Sequence, residues 1–186
     1  ADVPNHEPSL LLMNCGEPRL IRPSFGSWVT YGLGTENRSL PAFVVMSDPL
    51  GRGLPKGHAA NWSAGFLPGV YQGTHLRPTG DPIDNLNRLA GVSETAQRNQ
   101  LDLLNQLNTL QREQHEADGE LAARNESFEL AYRMQIAAPE AMAIEQEPAH
   151  IHEMYGIGKE ECDHFARQCL LTRRMLERGV RFIQIY

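Results

Sequence analysis

The chain has 186 residues, 41% hydrophobic and 22% charged, with a formal net charge of −6. That is the make-up of one globular domain, and an acidic balance without any Lys/Arg run excludes a nucleic-acid footprint. No apolar stretch approaches the roughly 20 residues that span a bilayer, so neither nucleic acid nor membrane is an expected partner.

In chain order, "PNHEPSLLLMNCG" comes first. Asn5 or His6 can cap a helix, Pro8 suits its first turn, and Gly16 is a left-handed stop. The stretch predicts a short, largely buried helix whose mouth offers free N–H groups and a positive dipole end. "RPSFGSWVTYGLG" predicts a second short helix, with Phe25, Trp28, Val29 and Leu33 at helical spacing. The β-branched run Leu40 to Ser47 predicts a buried strand.

From Asp48 to Asp84 the chain is rich in Gly and Pro and is expected to be a long irregular segment. Ordered segments of that length tend to carry sites, and Trp62, Phe66 and Tyr71 give this one rings to pack with. It reads equally as an Ω-type loop pinned by those aromatics or as a substrate-binding segment, whose candidate groups are His58, Asn61 and Arg77, with Asp81 as a further polar contact.

The second half reads as helical. Ser93 can cap a run with Leu101, Leu104, Leu107 and Leu110 at intervals of three. A helix from about Asn125 to Ala137 carries Phe128, Leu130, Ala131 and Met134, and Pro139 is expected to begin another. "EPAHIHEMYGIG" reads as a connection, followed by an amphipathic helix over Lys159 to Arg178 with Phe165, Leu170, Leu171 and Met175 inward. Gly179 ends it and the strand Val180 to Tyr186 follows, as in an αβ unit. A chain that opens at Ala1 without Met and stops at "VRFIQIY" is expected to be an internal piece of a longer protein, and residues 1–186 a single incomplete domain.

Motif chemistry is sparse. His150 and His152 would point the same way on extended backbone, near Glu147, Glu153 and His164, which is a weak metal-ligand pattern beside a solvated-loop reading. Cys162 and Cys169 lie about 10 Å apart along one predicted helix, too far for a disulfide, and no CxxC pattern occurs. P-loop, GxGxxG, GxSxG and HExxH patterns are absent.

The blocks "PNHEPSLLLMNCGEPR", "RPSFGSWVTYGLGTENRSLPAFVVM", "NWSAGFLPGVYQGTHLRPTGDPIDNL", "FELAYRMQIAAPEAM" and "CLLTRRMLERGVRFIQIY" resemble the middle of a bacterial family of sulfatase-like proteins. That family is a domain of unknown function in the alkaline-phosphatase superfamily, and the resemblance covers nearly the whole chain. It implies an α/β fold, an incomplete α/β/α layered domain like those of alkaline phosphatases and sulfatases, with a helical second half.

In sulfatases of this superfamily the nucleophile opens a helix with the pattern Cys/Ser-x-Pro-Ser-Arg, closed by Thr-Gly. Here His6-Glu7-Pro8-Ser9-Leu10 and Cys15-Gly16 fall on that pattern. His6 stands where the nucleophile would be and Leu10 replaces the Arg, so the usual covalent enzyme cannot form at that position.

The resemblance implies His6 and Asn5 as catalytic candidates and His6 as ligand to a divalent metal, zinc, calcium or magnesium, in the full-length protein. The expected function is then a metal-dependent hydrolase of sulfate or phosphate esters, with small esters or a polysaccharide as substrate. The other reading is a non-catalytic protein on the same scaffold that binds anions or polysaccharide. Relatives further imply export to the periplasm or cell surface.

Overall fold

A computed structural model describes residues 3–47, 55, 57–77, 83, 86–114 and 119–186, with the backbone alone over 111–114 and 119–124. The fold is mixed α/β, with helices around a small parallel sheet of three strands. Helices α1 (His6–Cys15) and α2 (Phe25–Leu33) come first, then strands β1 (Phe43–Met46) and β2 (Thr74–Leu76). Helices α3 (Glu94–Gln114), α4 (Gly119–Met142), α5 (Ala149–Tyr155) and α6 (Asp163–Glu177) precede β3 (Phe182–Ile185).

The strand order is β2-β1-β3, with Val45 opposite His75 on one side and Gln184 on the other. β1 is central and every one of its residues is buried. Such a strand cannot alternate apolar with polar, and Phe-Val-Val-Met does not.

Side chains that alternate along β1 feed two separate cores. Val44 and Met46 join Leu76, Ile183 and Ile185 beneath α4 and α6, where Met134, Ala138, Leu170, Leu171 and Met175 pack. Each large side chain buried there contributes about 1.5–3 kcal/mol of transfer free energy. Phe43 and Val45 face the opposite side with Trp62, Phe182 and Tyr186, beneath α1, α2 and a 3-10 segment at His58–Trp62.

α1 ends as its sequence indicates: Gly16, at φ +73°, donates its N–H to the Leu12 carbonyl at 2.9 Å. α2 packs in an unexpected sense. Its buried residues are the small ones, Gly26, Ser27 and Thr30, while Phe25, Trp28 and Leu33 are exposed. The buried hydroxyls are satisfied locally: Ser27 Oγ donates to the Ser63 carbonyl at 3.0 Å and Thr30 Oγ1 to the Gly26 carbonyl at 3.0 Å. Gly26 is small because it must be: a Cβ there would lie 2.5 Å from the Phe43 ring and 2.7 Å from the Phe182 ring.

Five sequence-based expectations are corrected. Pro139 does not begin a helix but lies inside α4, whose last turn is held by Arg174: its Nε donates to the Ala141 carbonyl at 2.9 Å and its Nη2 to the Glu140 carbonyl at 3.0 Å. These contacts, with Ala138 and Ala141 packed on the core, outweigh the one backbone bond that proline removes near a helix end. "EPAHIHEMYGIG" is not a bare connection, since α5 occupies Ala149–Tyr155 and stops at Gly156 with φ +85°.

His150 and His152 therefore sit on a helix, about 200° apart around its axis, and do not point the same way. Instead His152 Nε2 lies 2.8 Å from the Ile144 carbonyl. The segment after β1 is not wholly irregular, for it holds the 3-10 segment and β2. Phe165 on α6 is 52% exposed rather than inward, whereas Leu170, Leu171 and Met175 are buried as expected.

Beside this core, Arg173 Nη2 donates to Glu147 Oε2 at 2.8 Å, and Arg174 Nη1 pairs with Glu147 Oε1. The two guanidiniums, Arg173 first, hold the Glu147 carboxyl below the usual glutamate range. A depressed carboxyl adds stability that is present above its unfolded-state value and is lost as pH falls. Thermal melts of the wild type should thus lose more stability than those of Glu147→Gln as pH drops below about 5, the ordinary range for glutamate titration. Gly26→Ala should lower stability by about 1–3 kcal/mol in urea unfolding with an unchanged slope, because two aromatic rings must shift to admit one methyl group.

Candidate active site

Parallel strands bring their carboxyl ends to one side of a sheet, and ligand crevices form where the order of strands reverses. In the order β2-β1-β3 that reversal falls at β1. Ser47 follows β1 directly, and His75 in β2 is registered against Val45. Alternation therefore sets Val45, Ser47 and His75 on one face, the face covered by Trp62.

The consequence is a Ser–His pair, with Ser47 Oγ and His75 Nε2 at 2.7 Å. Both groups are held in place. The Trp62 indole, nearly buried, stacks on the imidazole with centroids 5.8 Å apart and planes 13° from parallel. Gln168 of α6, itself buried, donates from Nε2 to the Ser47 carbonyl at 2.8 Å.

The pair opens on a cleft of about 400 Å³ that His58, Trp62 and Gln72 also line. No carboxylate lines it among the described residues. His58 enters with φ at +42°, the one described non-glycine residue in the left-handed region. A bulky residue held there carries backbone strain of order 1 kcal/mol, and such strain clusters at functional sites.

Behind the cleft a chain of carboxamides ties the layers together. Gln184 Nε2 donates to Asn14 Oδ1 at 2.6 Å, Asn14 Nδ2 to Asn61 Oδ1 at 3.1 Å, and Asn61 Nδ2 to the His58 carbonyl at 3.2 Å. Gln184 also meets the Tyr186 hydroxyl at 2.8 Å, and Cys15 Sγ reaches the Ala60 carbonyl at 3.5 Å. Burial pushes the Cys15 thiol up, and it raises the Tyr186 phenol further, with Cys15 adding to the effect. Both stay protonated at neutral pH, so Cys15 offers no thiolate nucleophile.

The residues singled out from sequence are distributed as follows. His58 lines the cleft. Asn61 is fully buried and acts as the link between Asn14 and the His58 backbone. Arg77 is exposed and follows β2 at the same end of the sheet. Asn5 is the N-cap of α1 without a side-chain cap bond, and its carbonyl accepts from the Ser9 N–H at 3.1 Å. His6 is exposed at the start of α1 and is not among the residues lining the cleft. Asp81 lies outside the described residues.

No three His, Cys, Asp or Glu side chains converge on a common point among the described residues. Neither His6 nor His150 and His152 belongs to a group of three such side chains there. Ser47 and His75 escape sequence reasoning because they are far apart in the chain and meet only through strand register. A serine closing a β-branched run is the one local sign.

The sequence model of the family described as "Protein of unknown function (DUF1501)" matches residues 1–186. No curated protein and no solved structure matches the chain. Among the described residues no helix is long and apolar enough to cross a membrane.

The strain at His58 can be measured. His58→Gly should be neutral to stabilising, by up to about 1 kcal/mol in urea unfolding, since glycine enters the left-handed region freely but adds entropy to the unfolded chain. A clear destabilisation would show that His58 is held by contacts instead.

Proposed function

We propose an ester-hydrolase function for this chain, which belongs to the DUF1501 family of proteins of unknown function, with sulfate or phosphate monoesters as the substrate class. The observation that carries the reading is the 2.7 Å contact between Ser47 Oγ and His75 Nε2 in a cleft at the carboxyl ends of β1 and β2. A hydroxyl within hydrogen-bond reach of an imidazole that is itself held in place is the arrangement of an activated nucleophile. The resemblance to sulfatase-like proteins of the alkaline-phosphatase superfamily supports the same class. In this reading Ser47 supplies the nucleophile that position 6 lacks.

The His58 imidazole, with no carboxylate on the cleft wall among the described residues, favours an anionic substrate. With Nδ1 protonated, His75 Nε2 accepts the Ser47 proton as Oγ attacks phosphorus or sulfur. The bond to the bridging oxygen breaks, and the departing alcohol takes that proton from His75. Water then gives a proton to His75 and attacks the seryl ester. Phosphate or sulfate leaves and the proton returns to Ser47 Oγ. The His58 imidazole, on the same cleft, is the group that meets the non-bridging oxygens, where negative charge is concentrated.

Turnover of 4-nitrophenyl phosphate and 4-nitrophenyl sulfate tests the reading. Ser47→Ala and His75→Gln should each lower it by about 10²–10⁴-fold, with the double variant no worse than either alone. Equal turnover in Ser47→Ala and wild type would remove the pair from catalysis. A wild type that is inert toward both esters, yet binds sulfate at the cleft, would favour the anion-binding scaffold.

A further inference from the structure

A second cleft, of about 590 Å³, lies between α4 and the loop that leaves α2, and it shares no lining residue with the Ser47–His75 cleft. One face of α4 forms its long wall: Glu126, Glu129, Leu130 and Arg133 stand at i, i+3, i+4 and i+7. Arg38 of the loop joins Arg133 at one end, where Arg133 Nη1 donates to the Arg38 carbonyl at 2.8 Å. Glu126 stands two turns away, about 10 Å along the helix. The cleft is therefore positive at one end and negative at the other.

The bonds already made on this wall decide which groups are left for a ligand. Glu129 is spent: its two oxygens accept from Arg98, and Oε1 also accepts from Asn105 Nδ2 at 3.0 Å. Arg38, Glu126 and Arg133, by contrast, have no ion pair among the described residues. Asn105 bonds through Nδ2 and Asn125 accepts from Asn108 through Oδ1, so the Asn105 Oδ1 acceptor and the Asn125 Nδ2 donor have no bond among the described residues. Leu130 and Val70 give the same cleft apolar surface.

We propose that this cleft binds a short peptide with both ends free, its terminal carboxylate at Arg38 and Arg133 and its terminal ammonium at Glu126. The length fits, since an extended chain advances roughly 3.3–3.6 Å per residue and three residues span about 10 Å. A guanidinium takes a carboxylate through two parallel N–H bonds. Asn105 Oδ1 and Asn125 Nδ2 match the N–H and the carbonyl of a peptide group. A simple anion would leave Glu126 unmatched, and a simple cation would leave two guanidiniums unmatched.

Titration calorimetry with trialanine, N-acetyl-trialanine and trialanine amide tests this. Trialanine should bind at millimolar concentrations, and capping either end should weaken it about 5–10-fold, the loss of one charge-assisted contact. The capped peptides probe each end without altering the protein. Arg38→Gln combined with Arg133→Gln should bind trialanine and its amide alike, and Glu126→Gln should bind trialanine and its N-acetyl form alike. Ser47→Ala should bind trialanine as the wild type does, because the two clefts share no residue. Trialanine that fails to bind, equal binding of all three peptides, or a preference for the free carboxylate that persists without both arginines would overturn the proposal.

Discussion

The complete burial of β1 is the constraint on which the rest of the structure depends. Its residues Phe43 to Met46 are 0–1% exposed, so no register slip is tolerated: a shift by one would exchange the contents of the two cores. With register fixed, β2 and β3 are fixed beside it, and the groups just past the strand ends have no freedom in where they emerge. Ser47 and His75 meet for this reason. Their contact is a property of the sheet before it is a property of a site.

Each covering layer is adapted to bring polar groups to that end of the sheet. On one side α2 turns Gly26 to the Phe43 and Phe182 rings, which seats the helix close to the strands and leaves its own aromatic side chains outward. Trp28 meets Phe66 at 5.8 Å and Tyr31 meets Tyr71 at 5.3 Å, both edge-on, so those outward rings brace the segment that bears the cleft. The carboxamides of Asn14, Asn61 and Gln184 then join α1, the 3-10 segment and β3 through side chains alone. On the other side α6 contributes Gln168 to the Ser47 backbone and Arg174 to the end of α4. Buried polar chains of this kind specify one arrangement, since each unsatisfied member costs about 1–3 kcal/mol.

Much of this order is legible along the chain, and the limits have physical causes. α1 with its Gly16 stop, α2, the buried β1, the amphipathic α6 and β3 follow from periodicity and caps, which act locally. β2 is hidden because Thr74–Leu76 is too short to show a period inside a Gly- and Pro-rich segment. α5 is seven residues long and begins after Pro148, so its pattern reads equally as a turn. Pro139 reads as a helix start because local sequence cannot reveal that Arg174, distant in the chain, holds the turn beyond it.

The candidate site is legible only in part. His58 and Asn61 are marked by the unusual composition of their segment, and they prove to differ in kind: one lines the cleft, the other is a buried link. The Asn5–His6 mouth stands out in the sequence because helix starts favour anions, yet it is the last turn of α1, at Asn14 and Cys15, that is bonded to the 3-10 segment beside the cleft. Ser47 with His75 requires tertiary register, which no local pattern encodes. If His75 activates Ser47, a fluorophosphonate modifies Ser47 in the wild type and not in His75→Gln, as read by peptide mass spectrometry; modification elsewhere, or at Ser47 regardless of His75, would show that the pair is not an activated nucleophile.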